Sequence, residues 1–386
     1  MKIRILVTAR DAAAGLHLIE IVRHANASED FEVLVVTQSP ATRYFQHAQL
    51  ATGHLEVGPA RSANGAEAAE LLRRARDLVE NFRPDAVLCG LSTPFDGGID
   101  EAVLASFEGP AFMMQDFWGE ANGFFGRKAG LFFVLDAEAA RLTRQRHGVD
   151  SIVVGSPRHS AYAHIDLART RADVRRQLSI SPDATVFGFF GQGLHALDGY
   201  RRMVVRWAEA VSAQPGAGVA AYRPHPREKA AEAQWTLEVF RKAGLHAVML
   251  DNMDVEPALV ASDVICSAFS NCTYDAAYLN YFSPDPLITP MSLFFEADVV
   301  EYFRRLLRLD EFPYLKDGLV KLVDDGRLLA AKIAEAVQPD DKRRYWEAAK
   351  KLSDPTRAPA MVLDQIRSRC RTTLRTRESG AIHDAG

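Results

Sequence analysis

The sequence predicts an α/β protein of two domains, each a parallel sheet covered on both faces by helices. Three observations carry that expectation. The chain has 386 residues, and at about 100–200 residues per domain this length suits two cores. Short continuous apolar runs alternate with amphipathic segments, the pattern of strands buried on both faces with helices crossing between them. The alternation breaks at Gly155-Ser156-Pro157 and then begins again.

The elements follow in order. Ile3 to Thr8 reads as a buried strand, and Ala12 to Asn26 as a helix turning Leu16, Ile19, Ile21 and Val22 inward. Val33 to Thr37 is the second strand. Ala66 to Phe82 has helical spacing and stops at Arg83-Pro84, where proline cannot continue a helix. Ala86 to Gly90, Ala111 to Met114, Leu131 to Leu135 and Ile152 to Val154 read as further strands, with helical segments between most of them. Arg158 to Ala168 has no strong period and reads as a linker. Beyond it, helices are expected at 172–178, 200–213, 229–243 and 256–261, and strands at 185–190, 219–222, 247–250 and 264–266. Helices are expected to dominate from there to the end. The predicted domains are residues 1–160 and 161–340, followed by C-terminal helices at 341–370 and a flexible tail at 371–386.

Composition removes several classes of function. Hydrophobic residues are 48% and charged residues 25%, which excludes wholesale disorder, a collagen repeat and a membrane bundle. Net charge is -4, so no global basic field marks a nucleic-acid partner. Cys89, Cys266, Cys272 and Cys370 have no CxxC spacing, and neither a disulfide framework nor a zinc site is expected. His17 and His24 share a helical face without a third ligand, so no metal is assigned. Met1-Lys2 leads straight into the first strand, and no apolar run approaches the roughly 18–20 residues of a membrane span. A cytoplasmic protein is expected. Arg304, Arg305 and Arg308 around Phe303, Leu306, Leu307 and Leu309 read as a solvated helix face, with peripheral contact at the inner face of a membrane as the other reading. The arginines at 367, 369, 371, 375 and 377 form a basic tail.

In open parallel sheets, ligands bind beyond the carboxyl ends of the strands, so the loops that follow strands hold the candidates. Thr8-Ala9-Arg10-Asp11 is the first, with Asp11 as the N-cap of a helix or Arg10 as a ligand contact. Asp116 and Trp118, in Asp116-Phe117-Trp118-Gly119-Glu120, place a carboxylate beside an aromatic wall, the setting of a general base. Asp96, before Gly97-Gly98, is its rival. Gly191 and Gly193 allow a phosphate or sugar to approach the backbone closely. In Tyr222-Arg223-Pro224-His225-Pro226-Arg227, two prolines hold the chain extended and aim Arg223 and His225. Ser270, Asn271 and Thr273 open a helix whose N-terminus favours an anion, or they simply cap it.

Taken together, Gly191–Gly193, His225-Pro226 and Ser270–Thr273 resemble the GT-B glycosyltransferases. More narrowly, they resemble the group with a His-Pro motif: capsule polysialyltransferases, β-Kdo transferases and teichoic-acid glycerophosphotransferases. Val153 to Arg158 resembles the strand and Gly-x-Pro turn that close the N-terminal domain in such enzymes. The resemblance implies two Rossmann-like domains facing across a cleft and a nucleotide-sugar donor, CMP- or UDP-linked. It implies a glycan, lipid-linked or protein acceptor and no cofactor or metal. His225, Gly191, Gly193, Arg223, Ser270, Asn271 and Thr273 would hold the donor. Asp116 would act as base, and Arg10, Asp96 and Trp118 would meet the acceptor. The sequence departs from the group at the ribose, where the nearest acid is Asp275, and in the acidic catalytic motif, of which Asp96-Gly97-Gly98 is a partial echo. Surface polysaccharide or glycoconjugate synthesis is the implied setting.

Two rivals remain. Arg10, Asp96, Asp116 or Glu120, and His225 also resemble the pattern of UDP-N-acetylglucosamine 2-epimerases, although the His-Val-Glu-Ala-Gly segment is absent. A non-catalytic nucleotide- or glycan-binding subunit is the third reading.

Overall fold

The computed structural model describes residues 2–216 and 218–383, with side chains up to Arg371. The chain forms two compact units, Met1–Ala163 with Ser353–Gly386, and His164–Leu352.

The first unit contains β1 (Ile3–Ala9), α1 (Ala12–Asn26), β2 (Phe31–Thr37), α2 (Ala41–His47), β3 (Gly53–His54), α3 (Ala66–Phe82), β4 (Ala86–Gly90), α4 (Ile99–Ser106), β5 (Ala111–Met114), β6 (Leu131–Val134), α5 (Ala137–His147) and β7 (Ser151–Val153). Its seven strands run in the order β3-β2-β1-β4-β5-β6-β7, every neighbouring pair parallel. β4, β5 and β6 are buried along their whole length, which is why they read as unbroken apolar runs. At Gly90 a Cβ would come within 2.7 Å of Ala14 Cβ, so the missing side chain lets α1 lie close on the sheet.

The second unit contains α6 (Leu167–Gln177), β8 (Val186–Phe190), α7 (Asp198–Ser212), β9 (Val219–Arg223), α8 (Ala230–Lys242), β10 (His246–Met249), α9 (Val255–Val260), β11 (Val264–Ser267), α10 (Cys272–Phe282), β12 (Thr289–Leu293), α11 (Ala297–Leu307), β13 (Lys321–Val323), α12 (Leu329–Ala336) and α13 (Pro339–Ala349). Its sheet order is β10-β9-β8-β11-β12-β13, again all parallel. Phe189, Trp207, Tyr222 and Phe240 pack at the centre of its core, with Trp207 and Phe240 ring centroids 4.8 Å apart. Asp263 ties this unit together: its carboxylate accepts from Arg171 Nη2 (2.5 Å), Arg175 Nη2 (2.7 Å), Lys342 Nζ (2.8 Å) and Val186 N (2.8 Å). Burial alone would raise its pKa. The charges of Arg171 and Lys342 outweigh that and hold it at about 2.

The final helix, α14 (Ala358–His383), belongs to the first unit. There Arg367 Nη2 donates to Asp30 (2.9 Å).

Several expectations change. The segment 158–168, expected as a linker, does hold the boundary between the units, at Ala163 and His164, but it is not without regular structure. A 3₁₀ helix spans Pro157–His164, with Pro157, His159, Ser160 and Tyr162 buried, and α6 starts at Leu167. Helices dominate after β11, as expected, but β12 and β13 lie among them and complete the second sheet. Pro290 hid β12, since proline cannot donate to a ladder. It sits one residue before the first β12–β13 pair, Met291 with Lys321, where the ladder with β13 has not begun. The helices expected at 341–370 are divided, α13 in the second unit and α14 in the first. The tail expected at 371–386 begins inside α14. Residues 384–386, and the side chains of Arg375 and Arg377, lie outside the described residues. Arg304, Arg305, Leu306 and Arg308 are exposed, while Val299 and Phe303 face inward. No helix among the described residues is long and apolar enough to cross a membrane.

Each sheet has one place where the strand order reverses, between β1 and β4 in the first and between β8 and β11 in the second. Loops leaving those paired strands diverge to opposite sides and open a crevice at the carboxyl end.

Candidate functional site

At the first reversal, charged side chains gather below the surface. Arg10, the residue after β1, is 2% exposed. Its Nη1 donates to Asp96, its Nη2 to the Thr93 carbonyl (3.3 Å), and its Nε lies 3.5 Å from Asp11 Oδ1. Asp11 occupies the N-cap position of α1, but its side chain does not cap the helix. It accepts the Thr93 N–H instead (2.8 Å). Asn122 Nδ2 donates to the carbonyls of Thr93 and Asp96 (2.8 and 2.9 Å). The loop after β4 is thereby clamped from both sides.

Beneath this layer lie Asp100 and Glu101, both fully buried at the start of α4. Asp100 accepts from Thr8 Oγ1 (2.6 Å) and Ser92 Oγ (2.8 Å). Glu101 accepts from Gly98 N (2.7 Å), and Gln38 accepts from Ile99 N (2.6 Å). Burial raises the pKa of both acids, and the Asp100 charge pushes Glu101 further up. A Cβ on Gly98 would come within 2.7 Å of both Arg10 Cδ and Gln38 Oε1.

Asp116 follows β5 and is half-buried. Burial lifts its carboxyl to about 7. The charges of Asp11 and Glu120 push the same way, and Arg158 pulls it down. Glu120 itself pairs with Arg146 (3.1 Å). Trp118 is fully buried, and its indole N–H donates to Asp136 Oδ2 (2.7 Å), so it packs the core of this unit. Arg10 is thus hydrogen-bonded to Asp96 and ion-paired with Asp11, and Asp116 feels the charge of Asp11. Such a set can hold hydroxyls and move a proton near neutral pH.

At the second reversal, the loops after β8 and β11 are joined, because Phe269 N donates to Gln192 Oε1 (2.8 Å). Gly191 N donates to the Arg223 carbonyl (2.8 Å), and Gly193 is exposed. The start of α10 is served from within. Ser270 Oγ accepts from Cys272 N (3.2 Å), Ser267 Oγ accepts from Ser270 N (3.0 Å), and Thr273 Oγ1 donates to the Ser270 carbonyl (3.0 Å). Asn271 holds the N-cap position without a side-chain cap bond. Thr273 and Asp275 are buried, whereas Ser270 and Asn271 are half-buried. Arg223 Nη1 donates to the carbonyls of Leu250 (2.9 Å) and Met253 (2.6 Å) and so braces the loop after β10.

His225 is half-buried beyond β9. Its Nδ1 accepts the Arg227 N–H (3.1 Å). Burial, with the Arg227 charge, lowers its pKa to about 4. The imidazole is therefore neutral at pH 7 and carries its proton on Nε2. Glu228 lies beside it, accepting from Tyr222 OH and from His225 N (3.1 Å).

The sequence reading missed Gln38, Asp100, Glu101, Gln192 and Glu228. Glu101, three residues after Gly98, accepts the Gly98 N–H as the acid of a capping box does, a local spacing that signals one of them. Glu228 acts on Tyr222 and His225, six and three residues before it, while Gln38, Asp100 and Gln192 reach residues far away in the chain, which no local pattern marks. Among the described residues, no group of three or more His, Cys, Asp or Glu is placed to hold a metal ion.

The sequence matches no family model and no curated protein. Solved structures of similar fold do exist. A Neisseria meningitidis UDP-GlcNAc 2-epimerase bound to UDP-GlcNAc is 11% identical, with a TM-score of 0.68 over 95% of this chain and 100% of that one. The UDP-GlcNAc 2-epimerase of Methanocaldococcus jannaschii is 13% identical, with a TM-score of 0.66 over 94% and 99%. A glycosyltransferase from Rickettsia africae is 10% identical, with a TM-score of 0.63 over 95% and 98%. At these identities the likeness is one of fold, and the two parallel-sheet units are of the GT-B-like type.

Proposed function

We propose that this protein acts on a nucleotide-activated sugar. The second unit supplies loops suited to a phosphate, and the first unit supplies a cluster able to move a proton. The observation that carries the reading is Asp116, a carboxyl lifted to about 7 at a strand end of the first sheet. A group poised there is an effective base and an effective acid at neutral pH. The phosphate side rests on His225 as a neutral donor and on the hydroxyl-lined start of α10.

Epimerisation at the second carbon of a UDP-linked N-acetylhexosamine is the reaction favoured. Two of the similar structures bear that activity in their names. Asp96 and Asp11 flank the buried Arg10, and Asp116 feels the charge of Asp11. The hydrogen on that carbon is not acidic by itself. It becomes so as the bond from the neighbouring carbon to the phosphate oxygen breaks and positive charge develops there. A carboxylate such as Asp116 can take that proton as the phosphate departs, and return of a proton to the opposite face with re-addition of the phosphate oxygen completes the inversion.

Transfer to an acceptor hydroxyl is the second reading, favoured by the His225-Pro226 loop and by the Rickettsia africae structure. One experiment separates the two. The protein is incubated with UDP-N-acetylglucosamine in D₂O without an acceptor and followed by proton NMR. Deuterium at the second carbon and a second diastereomer are expected. Unchanged substrate, with UDP release only when a glycan acceptor is added, would establish transfer instead. UDP or CMP binding without any turnover would leave a binding subunit.

A further inference from the structure

Glu228 ties the end of β9 to the loop that follows it and lies against the loop after β8. Its Oε2 accepts from Tyr222 OH at the end of β9, and its Oε1 accepts from His225 N (3.1 Å). A Cβ on Gly191, after β8, would overlap Oε1. Burial raises the Glu228 pKa to about 7, and the hydrogen bonds from Tyr222 and His225, one to each oxygen, favour the carboxylate. The backbone held in this way then turns so that Arg227 N–H points at His225 Nδ1 (3.1 Å). A backbone N–H can only donate, so Nδ1 has to be unprotonated and the ring proton sits on Nε2.

We infer that Glu228 is a positioning residue: its carboxylate sets the loop after β9 so that His225 is held in a single neutral tautomer and presents Nε2–H as a donor. The depressed pKa of His225 agrees with this. What that donor is for rests on the phosphate reading above; the tautomer rests on geometry alone. Arg223, expected as a partner in charge, instead braces the neighbouring loop. The phosphate contact from this loop is then a directed hydrogen bond from a neutral ring rather than an ion pair.

The test is long-range ¹H–¹⁵N NMR of the histidine rings in the full-length protein, with His225 assigned from the signal lost in His225→Asn. At pH 7 the wild type should show unprotonated Nδ1 and protonated Nε2 without averaging. Glu228→Ala should let the two tautomers average and weaken UDP or CMP binding by roughly tenfold, the scale of one lost hydrogen bond. Glu228→Gln, which keeps an acceptor for His225 N–H, should hold the tautomer. An averaged or charged ring in the wild type overturns the inference, even if the alanine variant fails to fold. So does a Glu228→Ala protein with wild-type tautomer and affinity. A fixed Nε2–H tautomer in a protein that binds neither UDP nor CMP upholds the inference and defeats the nucleotide reading.

Discussion

Replacing Asp116 by asparagine should make the protein more stable at pH 8 while removing its activity. Moving a carboxyl from 3.8 to about 7 corresponds to about 4 kcal/mol in favour of the neutral form. Asp116 is half-buried, so solvent screening reduces the expected effect to roughly 2 kcal/mol. The sign follows from proton counting. Between 3.8 and 7 the folded protein binds this proton and the unfolded chain does not, so the contribution is present below 3.8 and lost as pH rises through 7. An asparagine side chain cannot ionise and avoids that loss. Urea unfolding of wild type and variant from pH 5 to 8 should therefore give a stability difference that grows with pH in favour of the variant. Wild-type exchange of the sugar hydrogen should fall about tenfold per pH step below 7, because the base is the ionised form, and the variant should lose on the order of 10²–10⁴ in rate. A stability difference that stays flat over this range, or a variant with full activity, would refute the reasoning.

Other outcomes follow from the same geometry. Asp263→Asn should destabilise the second unit by about 3–5 kcal/mol, since Arg175 would be left buried beside an uncompensated site; urea unfolding checks it. Because the pKa of Asp263 is depressed to about 2, the wild type's advantage should be complete above 3.8 and fade as pH falls toward 2. Gly98→Ala should cost about 1–3 kcal/mol of stability and displace Arg10 from Asp96, lowering activity with it; thermal unfolding together with the exchange assay reads both. Trp118→Phe should cost roughly 1–3 kcal/mol by leaving Asp136 Oδ2 without the indole donor, and unchanged thermal stability would contradict that account.

Much of the fold was legible because a parallel strand buried on both faces leaves an unmistakable mark. Ala86–Gly90, Ala111–Met114 and Leu131–Val134 are apolar throughout and flanked by turn residues. Where that mark weakens, the reading failed. Thr289–Leu293 carries a proline and a serine, and Lys321–Val323 is three residues long with a lysine, yet both are sheet strands. Lys321 is buried there because Glu335 and Asp341 meet its ammonium, at 2.9 and 2.6 Å, a fact of packing with no local sign. The loop candidates were found by position: Arg10, Asp96, Asp116, His225 and Ser270 all follow strands. Their states were not. That Arg10 is buried, that Trp118 packs inward and that Thr273 spends its hydroxyl on Ser270 are consequences of how the chain packs around them.

The sequence by itself determined the strand–helix alternation, the two-unit plan and the places where loops gather residues able to bind and to move protons. These depend on hydrophobic period and turn chemistry, which are local. The tertiary structure alone decided strand order, and with it the two reversals where the chain's charged and hydroxyl side chains meet. It also decided protonation: Asp116 titrating near neutrality, His225 uncharged with its proton on Nε2, Asp263 ionised down to about pH 2. Burial and the nearest charge set those states, and both are properties of three-dimensional packing.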